Sequence, residues 1–171
     1  MITQLNKLYF SDVTTKLDLA LDLYRNYHST LKADIAIQKE LARLKPLIAG
    51  LEEQMAAMAI FDLCAKCGQK NGGGCCSAFM AGETDSILLL VNLLLDVDVS
   101  FQHDDGSECV YLGPNGCIFK AKPMFCLNYN CSTIYGINSQ SDIVNLNRAT
   151  GAVLGQQYTL EQKLLRSLIK R

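Results

Sequence analysis

Apolar residues recur at helical spacing along the first third of the chain. Val13, Leu17, Leu21, Tyr24 and His28 repeat every three or four residues, and Leu31, Ile35, Leu41 and Leu44 form a second face. Leu17, Leu19, Leu21 and Leu23 also alternate, which is the period of a strand. Their Ala, Asp and Lys neighbours are poor strand formers, so residues 11–63 read as helical. Pro46 interrupts the pattern and is expected either to end one helix or to open the next. Beyond it, Leu47, Leu51, Met55 and Met58, with Phe61 or Ala59, again suit a helix. Two or three antiparallel helices are therefore expected before residue 64. Their Met and Leu stripe is read as core rather than as a groove for a partner.

The pattern then breaks. Gly68, Gly72, Gly73, Gly74 and Gly82 predict a loop from Cys64 to Gly82. Thr84 and Asp85 are placed to cap a short helix running to Leu95. Its Ile87–Leu95 run is the most apolar in the chain and is interrupted by Asn92. Residues 97–121 look extended and turn-rich. Val110-Tyr111-Leu112 and Ile118-Phe119 flank Gly113-Pro114-Asn115-Gly116, the signature of a hairpin turn. From Asp142 the chain turns helical again. Thr159 and Gln162 have capping-box spacing, and Leu160, Leu164, Leu165 and Leu168 share a face. The expected fold is mainly α: an N-terminal helical hairpin or bundle and C-terminal helices around an irregular Cys-rich metal-binding insert with a short β-hairpin. The corresponding regions are 1–63, 64–131 and 132–171, the last packing on the same domain.

Composition narrows the function. Of 171 residues, 49% are hydrophobic, enough to build a core without covalent staples. Sixteen basic residues against 17 acidic ones give a net charge of -1, which lacks the basic face that nucleic-acid binding needs. The Ile87–Leu95 run falls far short of the ~20 apolar residues of a membrane helix. The first ten residues carry no apolar signal segment. A cytoplasmic protein is expected, with neither nucleic acid nor membrane as a partner. In a reducing compartment, thiols serve as metal ligands more readily than as disulfides.

All eight cysteines lie between Cys64 and Cys131. Cys64-Ala65-Lys66-Cys67-Gly68 places two thiols two residues apart, a spacing that lets both sulfurs face one metal. The same spacing serves thioredoxin-like redox pairs, but there it opens a helix after a strand, and here it follows a helix. Lys66 is placed to moderate thiolate charge. Gly72-Gly73-Gly74 precedes the vicinal pair Cys75-Cys76 and lets backbone approach an inorganic core closely. Adjacent side chains diverge, so one of the pair, with Cys76 favoured, faces a metal while the other packs or serves a second one. Cys109, Cys117, Cys126 and Cys131 follow, with Lys122-Pro123 setting the approach to Cys126. His103 sits in a polar loop and is expected to be exposed. Asp104 and Asp105 read as a solvated turn.

The order Cys-x-x-Cys, Cys-Cys, Cys, Gly-Cys, basic-Pro-x-x-Cys, Cys resembles the YkgJ-type cysteine-cluster family, described as a zinc- or iron-chelating domain. The resemblance covers residues 64–131. It implies Cys64, Cys67, Cys75, Cys76, Cys109, Cys117 and Cys126 as ligands, with Cys131 matching a trailing cysteine. Flagellin lysine-N-methylases carry a similar motif, and that resemblance implies a [4Fe-4S] cluster. Two departures stand out. The gap from Gln69 to Gly74 is longer than the family's, and Lys122 stands where the family commonly has arginine. Lysine keeps the charge but loses the planar fork.

The expected function is metal binding through Cys thiolates, with a [4Fe-4S] cluster or Zn2+ in one or two sites. Both accept four thiolates. The core ligand set is Cys64, Cys67, one of Cys75 and Cys76, Cys117 and Cys126, and the remainder are second-site ligands or buried thiols. Two alternatives stand beside it: a cluster-dependent redox or methyl-transfer enzyme, and an adaptor whose helical arms recruit a protein partner around a structural zinc. No dinucleotide fingerprint, phosphate loop or catalytic triad pattern supports a further enzyme class.

Overall fold

The structure, a computed structural model, describes residues 2–68, 74–104, 106 and 108–169. The chain is mainly helical, as the periodicity predicts. Helices α1 (Ile2–Phe10), α2 (Val13–Ala33), α3 (Ile35–Ala57) and α4 (Ile60–Gly68) come first. A 3-10 turn over Ala78–Glu83 leads into α5 (Ser86–Leu94). A minimal hairpin, β1 (Leu112–Gly113) and β2 (Gly116–Cys117), is followed by two short helices, α6 (Met124–Asn128) and α7 (Ser132–Ile137). The 30-residue α8 (Gln140–Ile169) closes the fold.

Aspartates define the helix starts. Asp12 accepts from the Thr15 amide at 2.9 Å and opens α2. Asp34 ends α2 and opens α3, accepting from the amides of Ala36 and Ile37 at 2.9 and 3.3 Å. Each such cap contributes about 1 kcal/mol. The break at Asp34 shifts the helical phase, so Ile35 points outward, 84% exposed, and Ile37 takes the core position. The expectation for Ile35 is thereby corrected.

Pro46 neither ends nor opens a helix, because α3 runs through it. Proline removes the amide that would bond the carbonyl of Ala42. Ala42 and Pro46 both face solvent, where water satisfies that carbonyl, while Leu41, Leu44, Ile48 and Leu51 stay buried on the opposite side. The break falls instead at Ala59, whose φ of 53° is left-handed. That conformation costs an L-residue about 1–2 kcal/mol. It rotates the following turn so that Ile60 is buried, while Phe61 and Ala59, the alternatives for the inner face, both lie outside. Thr159 is likewise no cap. It sits within α8, and its hydroxyl donates to the Gly155 carbonyl at 2.9 Å.

The apolar α5 occupies the centre. Ile87, Leu90, Val91 and Leu94 face a large core shared with α3 and α8, including Leu44, Leu51, Val153 and Leu160. Leu89 and Leu93 face a smaller core built from Leu17, Ala20, Val99, Tyr111 and Phe119. Burial on both sides explains why this helix is apolar all round. Asp85 caps it as expected, accepting from Ile87 and Leu88 at 2.9 and 2.8 Å. The hairpin forms at the predicted turn, though its ladder is one residue tighter. Leu112 pairs with Cys117 and Gly113 with Gly116, around Pro114-Asn115. Gly116 takes the positive φ of 102° that this tight connection requires. Among the described residues, no helix is long and apolar enough to cross a membrane.

The contact between α3 and α8 contains one buried charge. Glu40 is 1% exposed and accepts from Gln156 at 2.7 Å, from Arg43 at 3.3 Å and from Lys163. The Lys163 and Gln156 bonds are the main reasons its carboxyl sits at about 2, below the ordinary 4.5. A depressed carboxyl stabilises the fold above its unfolded value and loses that contribution as pH falls through its folded value. Acidification from pH 4.5 towards 2 should therefore lower the thermal midpoint of the wild type more than that of Glu40→Gln. At neutral pH the same substitution should cost roughly 1–3 kcal/mol in urea unfolding, from mismatched partners at a buried site.

Candidate metal centre

Cys64 and Cys67 belong to α4, not to a loop. Their three-residue spacing sets both on one face of that helix. The glycine-rich segment was expected to lie near them. Gln69–Gly73 falls outside the described residues, but Gly74 does not. A Cβ added at Gly74 would meet the Cys67 sulfur at 2.8 Å, so only glycine lets this backbone lie against that thiol.

Cys76 is held to the other side of the site through the main chain. Its carbonyl accepts from the Cys109 amide at 2.8 Å, and Ser77 forms an antiparallel bridge with Glu108. Cys109 and Cys117 pack against the smaller core, whereas Cys131 packs against the larger one. Cys117 lies in β2, Cys126 in α6 and Cys131 at the N-cap of α7. Pro123 is the N-cap of α6, which agrees with its expected role in directing Cys126.

The segment joining β2 to α6 is clamped by a buried amide. Asn92 on α5 is fully buried. Its Nδ2 donates to the carbonyls of Leu88 at 3.0 Å and Ala121 at 2.8 Å. Its Oδ1 accepts from the amides of Lys120 at 2.9 Å and Ala121 at 3.0 Å. All four bonding positions of the side chain are used. Gln157 of α8 adds a bond to the Lys122 carbonyl at 3.0 Å, and Lys120 reaches the Leu95 carbonyl at 3.3 Å. Cys117 and Cys126 lie at either end of this clamped stretch.

All eight cysteines are free thiols. Cys64, Cys75 and Cys126 are exposed and the others half-buried. Packing still removes enough water from the sulfurs to raise most of them. Burial, then the charges of Cys117 and Cys109, push Cys76 up to about 12. Burial, then Cys117, Cys76 and Cys109, push Cys126 up to about 12. Cys64 is raised by burial and then by Cys75, Cys131 and Cys67. Cys75 is raised by burial and then by Cys67 and Cys131. Burial also raises Cys109 and Cys117. Cys131 shifts the other way, because the Ile134 amide at the start of α7 favours its thiolate. The cation that lowers Cys64 and Cys117 is Lys122, so the moderating role expected of Lys66 falls to a different lysine.

The sequence places His103 and the Asp104-Asp105 pair in a polar, exposed loop. Both ring nitrogens of His103 are buried, contrary to the exposed position expected of it. Asp104 is exposed, and Asp105 lies outside the described residues. Sequence reasoning missed Tyr111. It is fully buried beside Phe119, at 4.5 Å between ring centroids, and its hydroxyl finds no partner among the described residues. Burial and then the charge of Cys109 raise its phenol.

The free thiols are donors suited to a soft or borderline metal. The shell itself is open. Among the described residues, no three Cys, His, Asp or Glu side chains converge as a metal-holding group. The chain matches no family model, no curated protein and no solved structure.

Asn92→Ala should expose how far this site depends on the clamp. The substitution leaves two amides and a carbonyl of the 120–121 segment without partners. It should lower the urea-unfolding free energy by about 2–4 kcal/mol, since each buried unmatched group carries a penalty of its own.

Proposed function

We propose that this chain is a metal-binding protein that holds a [4Fe-4S] cluster or zinc through cysteine thiolates. The observation that carries the reading is the chemistry of the donor set: eight free thiols, on α4, the 75–76 and 108–109 segments, the hairpin, α6 and the start of α7. The order of these cysteines, which resembles the YkgJ-type pattern, supports it. The close backbone approach at Gly74 favours the bulkier cluster over a single ion.

Burial raises Cys64, Cys75, Cys76, Cys109, Cys117 and Cys126, and a metal binds thiolates, so uptake releases protons and strengthens as pH rises. The protein's own contribution is to hold the stretch between Cys117 and Cys126 against α5 through Asn92. A bound cluster would supply electron transfer or Lewis acidity, and bound zinc would supply a rigid crosslink. Binding energy gained only in the folded chain is folding energy, so metal removal is expected to loosen the region around α4, the hairpin and α6.

Metal and acid-labile sulfide analysis of anaerobically purified protein tests the reading. Iron and sulfide in equal amounts with a brown colour identify a cluster. Colourless protein with stoichiometric zinc identifies the structural ion. Protein that carries neither, and takes up neither from zinc or from iron with sulfide, overturns the proposal.

A further inference from the structure

Resting on that thiolate reading, we infer that the buried phenol of Tyr111 is a hydrogen-bond donor held for the Cys109 sulfur in its metal-bound, thiolate form. Tyr111 is then a positioning residue, acting on a metal through the cysteine that binds it.

The unmatched hydroxyl is the starting point. Tyr111 is fully buried, and its hydroxyl has no partner among the described residues. A hydroxyl stripped of water and left unmatched costs free energy, so each one calls for an explanation. Thr150, also buried and unmatched, lies within α8, where a hydroxyl can turn to the carbonyl four residues back. A phenol is carried too far from its own main chain for that. Nor is the ring free to swing elsewhere. Phe119 lies at 4.5 Å and Phe101 at 5.7 Å between ring centroids, and the Ile118 amide donates to the Tyr111 carbonyl at 3.1 Å.

The surroundings narrow the acceptor. Of the residues that pack on the smaller core around Tyr111, those with a side-chain heteroatom are Tyr24, Cys109 and Cys117. Tyr24 stacks on His28 of its own helix, at 5.1 Å between ring centroids. Cys117 pairs with Leu112 in the hairpin, and the next pair along, Tyr111 with Ile118, turns to the opposite face. Cys109 belongs to the same turn as Tyr111, closed by the Leu112 amide donating to the Cys109 carbonyl at 2.8 Å.

The chemistry of sulfur explains why the bond is unmade. A neutral thiol is a weak acceptor. A metal-bound sulfur is a thiolate, and a hydrogen bond to a charged acceptor is roughly twice as strong as a neutral one. The mismatch is a property of the protonated thiol and ends when Cys109 becomes a metal ligand. The phenol keeps its proton throughout and only donates the hydrogen bond.

The test compares the wild type with Tyr111→Phe, which keeps the ring and removes only the hydroxyl. Urea unfolding is followed in reduced, chelator-treated protein, and zinc affinity by competition with a chelating dye. The expected effects have opposite signs. Tyr111→Phe should unfold at an equal or higher urea concentration, because it removes an unmatched group. It should bind zinc about tenfold more weakly, because it removes a donor to a thiolate. With cobalt(II) as the probe, the sulfur-to-metal charge-transfer band should move to longer wavelength in the variant. A lower urea midpoint for the chelator-treated variant means that the hydroxyl is already matched, by water for example, and overturns the inference. So does a zinc affinity equal to or tighter than that of the wild type, and so does an unmoved band. If the wild type holds a cluster but no zinc, the reduction midpoint replaces the zinc affinity. It should be more negative in the variant, and an unchanged midpoint overturns the inference. A wild type that takes up neither zinc nor a cluster overturns the thiolate reading and this one with it, whereas an unaffected variant of a metal-binding wild type overturns this one alone.

Discussion

The architecture around the thiols depends on one side chain that uses all of its hydrogen bonds in the interior. Asn92 bonds Leu88 within its own helix and Lys120 and Ala121 across the core. An amide buried without partners would cost several kcal/mol, whereas one with every position satisfied fixes register as well as proximity. Apolar packing alone would let the 118–122 segment slide along α5. Asn92 allows one placement. The hairpin that carries Cys117 and the short helix that carries Cys126 both take their positions from it.

That arrangement explains why so irregular a region can sit on so regular a scaffold. The long contact between α3 and α8, tied by Glu40, supplies the large core. The smaller core packs Tyr111 and Phe119 of the thiol-bearing region against Leu17 and Ala20 of α2. Because α5 contributes to both, the cysteine-rich part is not an appendage joined by a linker. Between β2 and α6 its backbone is held by packing and amide bonds, and its cysteines are free thiols.

Much of the scaffold was legible because it obeys simple periodicities. The helical faces of Leu17, Leu41, Leu44, Leu51, Leu160 and Leu164, the Asp85 cap and the Gly113–Gly116 turn all follow from local pattern. The misses share a cause. Pro46 reads as a break from sequence, but the Ala42 carbonyl that it deprives of a partner lies on the exposed side of α3, so the helix runs through. Ile35 and Phe61 were assigned inward because the phase shifts at Asp34 and Ala59 occur at single residues. At the site, the cysteines were visible as a count and a spacing, but their environment was not. Asn92 read as an interruption of an apolar run, although a lone amide within such a run is itself the signal of a buried hydrogen-bond hub. Tyr111 and Lys122 gained their relevance only through tertiary neighbours, which no local pattern encodes.

Lys122 connects the clamp to the chemistry. Its carbonyl is held by Gln157, and the two residues before it are held by Asn92, so its backbone position is set from two helices at once. The ammonium bears on Cys64 and on Cys117, which lie on different elements. Burial raises both thiols, and the ammonium opposes that rise at each. It acts as a point charge and needs no planar, two-pronged contact with either sulfur. The amide clamp that sets the backbone of Lys122 therefore also bears on where that charge acts.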